Sequence, residues 1–262
     1  MRTTGTRNTA LLMGFLGLSM PALAAIVTWD GGGANSDWLT AGNWSDDAAV
    51  NPANDYAIAT SSPRAATNSP TAFPGKSLAV SMGGQLAWKD TSIIGQNGLA
   101  LDGGTILVVV NNKILTSTNG GITVNNVNGA TGTTIDVGSG LAFTMIGALS
   151  GSGAVTKTGA GILTIMSNSP SYSGNIVVSD GLFNPAGYLS NSTATVTLNT
   201  GGSLDVQNGL YIPNVTLNGG AITNSAGSKS LVANITVQST SYLAGGGAAA
   251  GAGLQGTLSG SG

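Results

Sequence analysis

Residues 196–206 read VTLNTGGSLDV and residues 215–223 read VTLNGGAIT, with LALDGGTIL at residues 99–107 as a third version of the phrase. Each opens on an apolar-x-apolar pair, passes through Asn or Asp to glycines, and resumes an alternating run. Alternation with a period of two puts both apolar members on one face of a strand. Asn and Gly accept left-handed backbone angles, so the chain turns sharply between strands without strain.

The same apolar-x-apolar unit recurs at Leu78/Val80, Leu99/Leu101, Ile122/Val124, Leu141/Phe143, Leu163/Ile165, Ile176/Val178, Val196/Leu198, Val215/Leu217 and Ile235/Val237. The steps between first members run from 19 to 23 residues, with one exception of 13 between Leu163 and Ile176. An offset near 20 is expected to return successive units to the same side of a coil, which describes an all-β fold, a parallel β-helix or solenoid. One coil alone buries too little apolar surface to offset the entropy of ordering it, so its stability must come from its neighbours. A β-sandwich also alternates and also uses Gly/Asn turns. The near-identical phrases at a fixed offset favour the solenoid.

Composition sets the limits of the chemistry. The chain has 42 Gly in 262 residues, only 7% charged residues and 41% hydrophobic ones. Low charge with abundant Gly and Ser suits a disordered tether, but the regular apolar alternation supplies material for a core. All ten acids are Asp, and Glu, His and Cys are absent. That inventory excludes Ser/His and Cys/His nucleophile pairs, thiolate or imidazole metal sites and disulfides. Arg2 and Arg7, the uncharged run from Ala10 to Met20 and the small residues at 21–24 read as a secretory signal peptide over residues 1–25. The apolar run is about half of the ~20 residues that a spanning helix needs. Without the leader the formal charge moves from -2 to -4, which disfavours nucleic acid as a partner.

The 13-residue step falls within residues 149–182, LSGSGAVTKTGAGILTIMSNSPSYSGNIVVSDGL. This segment resembles the autotransporter-associated β-strand repeat, also called the passenger-associated transport repeat. The match rests on Gly151, Gly153, Val155, Lys157, Gly159, Gly161, Leu163, Ile165, Tyr172, Gly174, Val178 and Gly181. It covers about an eighth of the chain. The resemblance implies a right-handed β-helical passenger with coils of about 20 residues, exported to the surface of a Gram-negative cell. It further implies that the repeat assists secretion across the outer membrane, with translocation machinery or a membrane barrel in a missing C-terminal part as partner. No active-site residue comes with it, and neither cofactor nor metal is implied. Residues 258–262, LSGSG, repeat the opening of the motif at 149–153 and read as the start of a second copy.

Other features carry rival readings. Trp29, Trp38 and Trp44 crowd residues 26–60, a Trp/Asp-rich capping module ahead of the coils assigned to residues 61–262. Exposed, these indoles would stack on a glycan, as a sugar-binding or cell-binding adhesin requires; buried, they would plug the end of the solenoid, which is the favoured reading. Asp30, Asp37, Asp46, Asp47 and Asp55, with Asn35, Asn43 and Asn54, offer oxygen ligands for calcium, but without EF-hand or nonapeptide spacing they read as solvated turns. A polysaccharide lyase or hydrolase would draw on Asp102, Asp136, Asp180 and Asp205, which recur at no common coil position. Arg64, the one Arg outside the leader, leaves little to stabilise an anionic intermediate. The reading is therefore not an enzyme. Residues 244–253, AGGGAAAGAG, read as a flexible loop.

Overall fold

The computed structural model describes residues 26–60, 71–89, 91–94, 97–117, 119–126, 132–186, 189, 193–226, 229–245, 254–255 and 257–260. Residues 1–25, where a signal peptide is expected, residues 61–70 and 246–253 and the last two residues lie outside the described residues. The chain is an all-β solenoid of about eight turns of roughly 21 residues. Every pairing between its named strands is parallel, which removes the β-sandwich rival.

Three sheets run along the solenoid. The first begins with Ile26–Thr28 and Asp55–Ile58, continues through Ser77–Ser81, Leu99–Asp102, Ile122–Val124 and Leu149–Gly151, and finishes at Ser171–Tyr172. The second contains Gln85–Trp88, Thr105–Val108, Thr133–Val137, Val155–Thr158, Asn175–Val178, Thr195–Asn199, Leu210–Asn218, Leu231–Ser239, Leu254–Gln255 and Leu258–Gly260. The third contains Thr71–Ala72, Ser92–Ile93, Lys113–Thr116, Ala142–Ile146, Ile162–Ile165, Gly181–Pro185, Gly202–Asp205, Ala221–Asn224 and Tyr242–Gly245.

The offset near 20 is present within each sheet, but the nine apolar-x-apolar units do not visit one side. Leu78, Leu99 and Ile122 stack in the first sheet, Phe143 and Leu163 in the third, and Ile176, Val196, Val215 and Ile235 in the second. A coil carries two or three strands with the same inward alternation, so a step of about 20 residues slips between faces without leaving the pattern. The 13-residue step is one such change of face, from Ile162–Ile165 to Asn175–Val178. The solenoid also starts before residue 61. Val27 and Trp29, then Tyr56 and Ile58, are buried on the first sheet, so the capping module contributes strands of its own.

The cross-section changes at the motif. Among the described residues the first sheet ends at Ser171–Tyr172, and the following coils use two nine-residue strands, Leu210–Asn218 and Leu231–Ser239. A register shift between Tyr211 and Asn214 spans Pro213, whose missing N–H cannot join a ladder. In the backbone register Leu210 pairs with Leu231, and Leu231 with Leu254.

The N-terminal end of the core is aromatic. Trp29, Trp38, Trp44, Tyr56, Phe73 and Trp88 are buried. Trp29 meets Trp44 edge to face at 5.3 Å, Trp44 meets Tyr56 at 4.8 Å, Trp38 meets Phe73 at 5.1 Å, and Trp88 carries the contact on to Phe143 at 5.9 Å. Such pairs contribute about 0.5–1.5 kcal/mol each beyond the area they bury. Because all four tryptophans are inside, unfolding in denaturant is expected to shift their fluorescence to the red by the full extent seen for an exposed indole. Emission that barely moves would contradict this packing.

Candidate functional site

The motif at 149–182 occupies strands of all three sheets in two successive coils. Its alternating apolar residues, Val155, Leu163, Ile165 and Val178, all point inward and are buried. Lys157 falls at an inward position too, opposite Ile135 on one side and Val178 on the other. It is fully buried. Its Nζ donates to the carbonyls of Thr158 at 3.0 Å, Gly159 at 2.5 Å and Asp180 at 2.9 Å. Three carbonyls match the three N–H donors of an ammonium. Since Thr158 and Gly159 belong to one coil and Asp180 to the next, the side chain ties the two coils together.

Tyr172 performs a similar task at another corner. Its ring is buried, and its hydroxyl lies 2.9 Å from the Gly153 carbonyl of the preceding coil and 3.2 Å from the Asn175 carbonyl. One hydroxyl proton is shared between the two acceptors. Burial holds the Tyr172 hydroxyl well above its ordinary value, opposed by a backbone hydrogen bond with Val155.

The motif glycines share one physical reason. A Cβ at Gly151, Gly153, Gly159, Gly161, Gly174 or Gly181 would collide with a backbone carbonyl of the preceding coil. Gly153 and Gly174 form one column, with Gly174 against the carbonyl of Gly153 and Gly153 against that of Asn125. Gly161 and Gly181 form the other, resting on Gly138 and Gly161 respectively. At Gly159 and Gly181 the left-handed φ of +70° and +71° adds a second requirement for Gly. The motif opening also has a preferred seat. Leu149–Gly151 pairs residue for residue with Ile122-Thr123-Val124, and Leu258–Gly260 pairs in the same way with Ile235-Thr236-Val237, although the two lie on different sheets.

The other sequence candidates are placed as follows. Trp38 and Trp44 have no exposed surface and Trp29 has 5%, so none presents a face for stacking on a sugar. Trp44 Nε1 donates to the Trp38 carbonyl at 2.7 Å. Asp30, Asp37 and Asp46 each accept the backbone N–H two residues ahead, closing their own turns. Asp55 takes hydrogen bonds from Ser77 and Lys76, which in that order hold its carboxyl below the usual range. Of the four acids weighed for carbohydrate chemistry, Asp102 ends a first-sheet strand, Asp136 sits on the second sheet, Asp180 is at a corner and Asp205 ends a third-sheet strand. They are distributed over the solenoid, with Asp136 and Asp180 flanking Lys157.

Two of these candidates, Asn43 from the calcium reading and Asp205 from the carbohydrate reading, instead anchor hydrogen-bond networks that the sequence did not show. Asn43 is fully buried, accepts from Gly33 N–H at 2.9 Å and donates to the carbonyls of Asn35 and Asp37 at 2.8 Å, so it organises the Gly-rich loop over the plug. Asp205 accepts from Ser225 N–H and Oγ, Gln207 Nε2 and Thr223 Oγ1. Burial pushes its carboxyl up, and these donors more than offset that, leaving it below the usual range. The spacing N-W in residues 43–44 and S-L-D-V in 203–206 gives no hint of either network.

No family model, curated protein or solved structure matches the chain. The site is therefore defined by its geometry, that of an inter-coil clamp.

Burial lowers the Lys157 ammonium to about 8, while Asp180 and then Asp136 pull in the other direction. An unfolded lysine keeps its proton to about pH 10.4, so between these values unfolding takes up a proton and the folded state gains stability as pH rises. Denaturant midpoints at pH 7.5 and 9.5 are expected to show a gain of about 1–2 kcal/mol in the wild type relative to Lys157→Met. Equal pH dependence in the two proteins would contradict the burial of this charge.

Proposed function

We propose that the chain is an exported cell-surface structural passenger of autotransporter type, a stalk whose motif coils assist secretion across an outer membrane. The observation that carries this reading is the clamp: Lys157 and Tyr172 each bind backbone carbonyls across a coil boundary, so these coils gain order from their neighbours. A stack of this kind releases free energy coil by coil as it folds on the far side of a membrane, and a folded coil does not slide back. In this role the partner is the outer-membrane translocation machinery or a membrane barrel, and the protein performs no catalytic step. The glycan-adhesin alternative is less well supported, because the indoles it would use are buried. The lyase alternative is weaker still, since its acids are dispersed over separate elements.

Expression from Met1 in a Gram-negative host, followed by N-terminal sequencing and fractionation, tests export. The mature chain is expected to begin near Ala25 and to be recovered outside the cytoplasm. Recovery in the cytoplasm with the leader intact would contradict the proposal. A glycan array on the same mature protein is expected to show no binding, and binding would revive the adhesin.

A further inference from the structure

The corner at residues 206–209 joins Gly202–Asp205 to the long strand Leu210–Asn218. Both of its ends are anchored. Val206 and Leu210 are buried, and Gln207 donates to Asp205 at 2.9 Å while accepting from Asn184 at 2.9 Å. Between these anchors Asn208 and Gly209 are exposed. Among the described residues no hydrogen bond holds the Asn208 amide or the Gly209 N–H, and a Cβ built on Gly209 would meet nothing within 4 Å.

We propose that Asn208 is a site of spontaneous backbone-assisted modification, converting to aspartate and isoaspartate in the folded protein. The Gly209 backbone nitrogen attacks Asn208 Cγ, forming the new C–N bond of a five-membered succinimide. The bond from Cγ to the side-chain nitrogen breaks, and that nitrogen leaves as ammonia with the proton given up by Gly209. Water then adds to either succinimide carbonyl, opening the ring to an α- or β-linked aspartyl residue. No oxidant or other reactant is needed.

An Asn-Gly pair at a corner is ordinarily just a turn, so the comparison with the other pairs decides. Asn218 donates to Asn199 at 3.1 Å and accepts from Ser239 at 3.4 Å, while the Gly219 N–H donates to Ser241 at 3.1 Å. Asn97-Gly98 and Asn119-Gly120 press backbone against backbone in adjacent coils. Asn128-Gly129 lies outside the described residues. Cyclisation requires the nitrogen to reach Cγ in a near-attack geometry, and at the held pairs that means breaking hydrogen bonds or moving a packed coil. At Asn208 it requires neither. The product carries a new carboxylate, and the β-linked form lengthens the main chain just before Leu210, which stacks on Leu231.

Folded protein held at pH 8 and then digested for peptide mass mapping tests this. Asn208 is expected to convert about tenfold or more faster than Asn218. In denaturant the two sites, sharing the same Asn-Gly sequence, should convert at similar rates. Gly209→Ala adds its methyl to open space and should slow conversion at Asn208 without changing the unfolding midpoint, while Asn208→Gln should nearly abolish it. Conversion at Asn208 no faster than at Asn218 in the folded chain would overturn the proposal. So would a difference between the sites that persists in denaturant, or a Gly209→Ala rate equal to that of the wild type.

Discussion

The fold depends on how closely one coil can lie upon the next. Parallel ladders fix strand separation at about 4.8 Å, and at the motif's corners the backbone of one coil passes directly over a carbonyl of the coil before it. Only a residue without a Cβ fits there. The two glycine columns, Gly153 and Gly174 above the carbonyl of Asn125 at one corner and Gly161 and Gly181 above that of Gly138 at another, are the mark of this constraint. Once the corners are flush, the inward residues Val155, Ile176, Val196, Val215 and Ile235 align in a continuous apolar row.

Polar groups inside such a stack must find partners from the backbone, and the motif coils place two side chains to provide them. Lys157 and Tyr172 lie at different corners and each reaches carbonyls on both sides of a coil boundary. Burying an ammonium is costly, and breaking such an arrangement by removing one partner leaves unpaired carbonyls in the core. Among the described residues the first sheet ends in the same coils. The clamp thus stands where three-sided coils give way to coils with two long strands, a boundary that apolar packing alone would leave poorly specified.

The solenoid was legible in the sequence because alternation and turn residues are local signals. Its period emerged correctly from the repeated phrases at residues 196–206 and 215–223. The assignment of strands to faces was not legible, because Leu163/Ile165 and Ile176/Val178 have the same pattern on different sheets. Cap strands such as Asp55–Ile58 were hidden by the Trp-rich segment around them, although Tyr56 and Ile58 obey the same alternation. The motif glycines and Lys157 were visible as a resemblance, yet their reasons lie in residues 20 or more positions away. Asn43 and Asp205 were weighed as a calcium ligand and a catalytic acid, and the networks they anchor were not legible, since hydrogen bonds built from loop atoms have no periodicity.

Coils stack in parallel and in one register, and the absence of cysteine from the chain permits a direct test of this. Thr195 pairs with Asn214 and Asn199 with Asn218 in adjacent parallel strands, with side chains only partly buried or exposed. Cysteines placed at each pair, in two separate double variants, should both be joined by a short thiol cross-linker within one chain. An antiparallel hairpin brings at most one of these pairs together, so cross-linking of only one, or of neither, would contradict the stacked solenoid.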